Sequence, residues 1–170
     1  TLWHTLSLHD ALPILSGISL SPAQVLLQAE LRHLQQHGVL LALCSKNDHT
    51  RVAEAFAQRG DFPLRWADFV ATAISWEPKA QAIDRMLQEL GLSTAGVGFL
   101  DDSPLERQEV RALLPELWVP ELAEDPATWP AQLAACGLFA APRASAEASQ
   151  RTELYAQERE RQQARHSFED

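Results

Sequence analysis

The chain has 170 residues, 46% hydrophobic and 22% charged. That is enough length for one domain with a real core, in the balance of an ordinary globular protein. A formal net charge of −9 disfavours a nucleic-acid backbone or an anionic membrane as the main partner, and an anionic substrate would need local cations or a metal. Cys44 and Cys136 make no disulfide framework, which fits a reducing cytoplasm. No apolar run reaches the ~20 residues that span a bilayer, and no cationic segment precedes an apolar one as in a signal peptide.

Residues 1–14 differ in composition and periodicity from the rest of the chain and are expected to be aberrant or unstructured. His4, His9 and Asp10 are metal-binding residue types, but in so irregular a terminus they predict no site. From Pro22 the pattern is regular. Val25, Leu26, Ala29, Leu31 and Leu34 recur at helical spacing up to Gly38, a helix-ending residue. Val39 to Cys44 is a continuous apolar run, suited to a strand buried on both faces of a parallel sheet. Ser45-Lys46-Asn47-Asp48 breaks it, and Asp48 is placed to cap a helix through Val52, Ala53 and Phe56.

Phe69–Ile74 reads as a second strand. Pro78 opens a helix carrying Ala82, Ile83, Met86, Leu87 and Leu90, closed by Gly91. Val97–Leu100 is a third strand ending at Asp101-Asp102. Ser103-Pro104-Leu105-Glu106 has the form of a capping box with proline at the first helical position. Leu117–Val119 predicts a fourth strand and 128–136 a further helix. Strands and helices alternating at these lengths predict an α/β, Rossmann-like parallel sheet with right-handed crossovers. The domain is expected over 15–140. Residues 141–170 read as a linker and a polar connecting helix.

Ligands of open α/β sheets bind beyond the carboxyl ends of the strands, where three loops carry polar groups. Asp101 and Asp102 repel one another unless a cation is present, and a hard dication such as Mg²⁺ takes one or two carboxylates plus water and phosphate oxygens. The plain alternative is one capping aspartate and one solvated one, although Ser103 already offers the cap. Lys79 stands in the first turn of its helix, facing the positive end of the macrodipole at a cost of about 0.3–1 kcal/mol. Either the twin acids or a substrate phosphate would offset that, unless the lysine simply leans into solvent. Ser45, with the loop N–H groups around Lys46 and Asn47, suits a phosphate cradle at a helix N-terminus; Lys46 and Asn47 are equally ordinary turn residues. Cys44 reads as a small core residue or, beside Ser45, as a nucleophilic thiol.

Ser45, Lys79 and Asp101-Asp102, in that order on successive strand ends, are similar to the second, third and fourth motifs of the haloacid dehalogenase (HAD) superfamily. The wording of Gly38–Asn47, Trp76–Ala80 and Phe99–Arg107, with Leu114-Pro115, Val119–Leu122, Glu124–Pro126 and Arg151–Tyr155, resembles the FkbH-like family, HAD subclass IIIC, over residues 15–170. Thr1-Leu2-Trp3 looks like the last scrap of that family's first motif, whose acids would lie before residue 1, and the odd stretch after it resembles translated sequencing-adapter DNA. On that resemblance the first sheet strand is missing and the chain lacks its attacking aspartate.

The resemblance implies Mg²⁺ held by Asp101 and Asp102, and a small phosphorylated substrate bound by Ser45, Lys46, Asn47 and Lys79, with Ser45 and Lys79 as catalytic residues. FkbH-like enzymes take a glyceryl unit from 1,3-bisphosphoglycerate, release phosphate and load an acyl carrier protein through an enzyme thioester, for which Cys44 is the candidate. Three other readings stand: a general HAD phosphatase, a non-catalytic carrier-protein docking domain, and a receiver-like phosphoacceptor. The last places its paired acids early in the chain, whereas here they come after Lys79.

Overall fold

The computed structural model describes residues 3–7 (backbone only), 21–136, 150, 153–155, 157–158 and 161. Its sheet has strands β1 (Trp3–Ser7), β2 (Leu40–Ser45), β3 (Phe69–Ile74) and β4 (Val97–Leu100) in the order β3-β2-β1-β4. Every pairing is parallel, so all four carboxyl ends emerge on one edge. The order reverses between β1 and β4, which makes that point the switch crevice of a Rossmann-type sheet. A receiver-like sheet runs 2-1-3-4-5, so the observed order rules out that reading.

Among residues 21–136, helices connect and cover the sheet: α1 (Pro22–Gln36), α2 (His49–Gln58), α3 (Lys79–Glu89), α4 (Pro104–Leu113) and α5 (Trp129–Ala135). The boundaries reflect local chemistry. Ser21 and Gln24 form a reciprocal capping box before Pro22, Asp48 accepts from Arg51 N at 3.1 Å, and Gly91 ends α3 with φ +65°, a conformation costly for any residue with a Cβ.

Alternation along β2 divides the core. Leu41 and Leu43 pack with Leu31 of α1 and with Val52 and Phe56 of α2. Leu40, Ala42 and Cys44 pack on the opposite face with Ile83, Met86 and Leu87 of α3 and Val110 of α4. Each large apolar side chain fully buried in these layers contributes about 1.5–3 kcal/mol.

Three expectations change. Residues 3–7, expected to lack regular structure and to leave the first strand missing, form β1 in the central slot, with Ser7 beside Cys44 and Leu6 beside Leu100. The in-register N–H and C=O groups of β2 and β4 satisfy any backbone laid between them, whatever its side chains. The rest of 1–14 lies outside the described residues. The expected strand Leu117–Val119 shrinks among the described residues to a single bridge, Trp118 to Gly98, carried by two hydrogen bonds, Phe99 N to Trp118 O and Trp118 N to Val97 O. The capping box before α4 is only half made: Ser103 Oγ accepts from Glu106 N at 3.4 Å, but Ser103 N donates to Asp101 Oδ1 at 2.9 Å, so the Glu106 carboxylate is released to go elsewhere. Most of 141–170 lies outside the described residues; those described within it are helical, and Tyr155 packs against the α3–α4 core layer. Among the described residues no helix is long and apolar enough to cross a membrane.

Candidate phosphate and metal site

Parallel pairing brings Ser45, the loop after Ile74, and Asp101 to the same sheet edge. Ser45 ends β2, where its carbonyl accepts from Ser75 N at 3.1 Å, tying the first two loops together. The Ser45 side chain is buried, and among the described residues its Oγ meets no hydrogen-bond partner. A buried hydroxyl in that state is open to a ligand oxygen, since unpaired polar atoms inside proteins are costly and rare.

Lys79 begins α3 and turns inward. Its Nζ lies 2.5 Å from Asp101 Oδ2, with the two side chains 1% and 0% exposed. The anion required beside a lysine at a helix N-terminus is therefore Asp101, which stands where β4 gives way to α4. Both Asp101 oxygens accept a hydrogen bond, one from Lys79 and one from Ser103 N. An ionised carboxylate offers about four lone-pair positions, so acceptor capacity remains. Together with Asp102, which is half-buried, it could offer the one or two hard carboxylates that Mg²⁺ takes alongside water and phosphate oxygens. Among the described residues no three His, Cys, Asp or Glu side chains gather into a metal cage.

Two residues to which the sequence assigned no part in ligand binding complete the edge. Arg107, 5% exposed, donates from Nη1 to the carbonyls of Asp101 at 2.7 Å and Asp102 at 3.0 Å. The acid pair is thereby held by its main chain from below. Lys46 Nζ donates to Glu106 Oε1 at 2.6 Å, joining the loop after β2 to the first turn of α4. Arg107 and Glu106 both fall within the motif wording that follows Asp101-Asp102, and Glu106 is the residue expected to close the capping box. Asn47 Oδ1 accepts from Asp48 N at 2.8 Å, the ordinary task of a turn asparagine. At the second loop, Glu77 pairs with Arg85 through both oxygens and accepts from Ser75 Oγ; the Arg85 guanidinium chiefly holds its carboxyl below the usual range.

Cys44 behaves differently from the other site candidates. It faces the α3–α4 core layer, is 1% exposed, and burial pushes its thiol up to about 12, with the nearby Lys79 charge only partly opposing this. Such a thiol stays protonated near neutrality, when the reactive form is the thiolate. Cys136 is half-buried and donates to Leu133 O at 2.9 Å.

The mixed α/β fold with its parallel sheet is consistent with that of a HAD-like phosphatase domain. In particular, the chain superposes with a TM-score of 0.73 and 28% identity on a crystal structure of the N-terminal part of protein BF1531 from Bacteroides fragilis, which contains a phosphatase domain and is complexed with Mg. The match covers 84% of this chain and 41% of that one. No family model matches the sequence, and no curated protein matches it.

Proposed function

We propose that this domain handles the phosphoryl group of a small phosphorylated substrate with Mg²⁺, as a HAD-type phosphatase does. The observation that carries the reading is the buried Lys79–Asp101 pair on the same sheet edge as the Ser45 hydroxyl, which meets no partner among the described residues. The Mg-complexed phosphatase domain of BF1531 supports it from outside the chain.

In this reading Asp101 holds the metal and Asp102 is a further ligand. Mg²⁺ held by these two acids would supply charge neutralisation at phosphate oxygens. Ser45 Oγ donates to a phosphoryl oxygen, and the N–H groups around Lys46 and Asn47 complete the cradle. Lys79, fixed by Asp101, stabilises negative charge on the phosphoryl group at no cost of reorganisation. The attacking carboxylate of such an enzyme belongs at the carboxyl end of β1. Residues 3–7 contain none, and Asp10 is the first acid of the sequence.

A finer reading rests on the motif wording: glyceryl transfer of the FkbH type, from 1,3-bisphosphoglycerate to an acyl carrier protein. A thioester on Cys44 would need an accessible thiolate, whereas this thiol is buried and held protonated, which supports phosphate chemistry with Cys44 in the core. Intact-mass analysis after incubation with 1,3-bisphosphoglycerate separates the two, since a glyceryl adduct on Cys44 would restore the transfer reading. A docking domain without chemistry would bind carrier protein and no phosphate.

The direct test is calorimetric titration of Mg²⁺ and inorganic phosphate into the full chain. Phosphate binding that requires Mg²⁺, falls at least tenfold in Ser45→Ala and disappears in Asp101→Asn supports the proposal. Binding indifferent to both substitutions overturns it.

A further inference from the structure

Glu106 occupies an unusual position. A glutamate three residues after a serine N-cap normally reaches back to the cap's N–H, yet here that N–H is taken by Asp101 Oδ1. Displaced from the cap, the Glu106 side chain pairs through Oε1 with Lys46 at 2.6 Å; the two side chains are 12% and 24% exposed. Its other oxygen, Oε2, is buried and meets no hydrogen-bond partner among the described residues. A pair built for stability alone would satisfy both carboxylate oxygens, because a half-satisfied buried carboxylate weakens the fold.

Lys46 is the other half of the argument. It directly follows Ser45, whose buried hydroxyl also meets no partner among the described residues, and it is the cation nearest in sequence to the proposed phosphate cradle. Its charge is held chiefly by the hydrogen bond to Glu106. A phosphate entering beside Ser45 would therefore meet a lysine already paired with a carboxylate. The anion and Glu106 would compete for the same ammonium.

We infer that Glu106 sets the anion affinity of this site: it is the resting partner of Lys46, and a bound phosphate displaces it so that Lys46 turns to the phosphoryl oxygens. This rests on the phosphoryl reading above and adds to it a residue that determines affinity. It makes Glu106 a competitor, so its removal tightens binding, whereas removal of a ligand or a positioning group weakens it.

The experiment is titration of inorganic phosphate, with Mg²⁺ present, into the full chain and four variants: Glu106→Gln, Lys46→Met, the double variant, and Glu109→Gln. Glu109 lies on the same helix and also acts on Lys46 through space, so it reports the general effect of removing one negative charge. The expected results are at least fivefold tighter binding in Glu106→Gln, at least tenfold weaker binding in Lys46→Met, no gain from Glu106→Gln in the Lys46→Met background, and less than a twofold change in Glu109→Gln. Unchanged or weaker binding in Glu106→Gln, or an equal gain with and without Lys46, overturns the competition while leaving the phosphoryl site standing. Absence of phosphate binding in every form, Glu106→Gln included, overturns both.

Discussion

Lys79 and Asp101 form an ion pair 2.5 Å long between side chains that are almost fully shielded from water. They are separated by 22 residues and brought together because β3 and β4 end on the same edge. Removing one partner from such a pair strands the other charge. Lys79→Met is expected to cost about 3–5 kcal/mol, read as a shift of the urea midpoint. The double variant Lys79→Met/Asp101→Leu should recover part of that loss. A single variant within about 1 kcal/mol of the parent would show the pair to be hydrated and unimportant to the fold.

Ser45→Ala should separate binding from stability. Because Ser45 Oγ lacks a partner among the described residues, its loss should leave stability unchanged or raise it by up to about 1 kcal/mol, while weakening phosphate binding. A substantial loss of stability would place a structural hydrogen bond at that hydroxyl.

Arg107 holds the carbonyls of both acids. Arg107→Met should destabilise the chain by about 2–3 kcal/mol, the cost of leaving one buried and one part-buried carbonyl without a charged donor, and should also weaken Mg²⁺ binding. Arg107→Lys restores the charge without the planar fork and should recover stability better than metal affinity. Equal recovery of both would argue that only the charge matters.

The Cys44 thiol gives a pH-dependent prediction. Its folded-state pKa is raised from 9.0 to about 12, so the folded chain holds that proton more tightly than the unfolded one. The resulting stability is complete below pH 9 and is lost as pH rises towards 12. Cys44→Ala should remove this part of the alkaline loss. Near neutral pH iodoacetamide should modify Cys136 in the native chain and reach Cys44 only after unfolding; native modification of Cys44 would contradict its burial. Glu77 acts at the opposite end. Arg85 holds its carboxyl below the ordinary 4.5, so its contribution is present above that pH and fades as pH falls through the lowered value. Glu77→Gln should flatten the acid limb of the stability profile.

Phosphatase turnover is expected to be absent in the 170-residue chain, with or without Mg²⁺, because β1 offers no carboxylate to attack phosphorus. Metal-dependent release of phosphate that vanishes in Asp101→Asn would contradict this and direct attention to Asp10.

Much of this architecture was legible in the sequence because burial on both faces writes strands as unbroken apolar runs. Phe69–Ile74 and Val97–Leu100 have the bounds expected of them. Lys79 and Asp101 stood out through their cost, a cation at a helix N-terminus and two adjacent acids, and the structure resolves that cost by pairing them. Arg107 and Glu106 did not stand out. An arginine and a glutamate on a first helical turn look the same whether they point to solvent or inward, and only the tertiary placement of Asp101 decides which takes the cap's N–H. The strand at 3–7 was illegible for a related reason: in a central parallel slot, backbone pairing with β2 and β4 can hold a segment whose side chains give no periodic signal.

The most direct measurement is a crystal structure of the full chain soaked with Mg²⁺ and inorganic phosphate. The account predicts the metal on Asp101 and the anion within hydrogen-bond reach of both Ser45 Oγ and Lys79 Nζ. Phosphate or metal bound elsewhere, with Ser45 and the Lys79–Asp101 pair untouched at saturating concentrations, would contradict it.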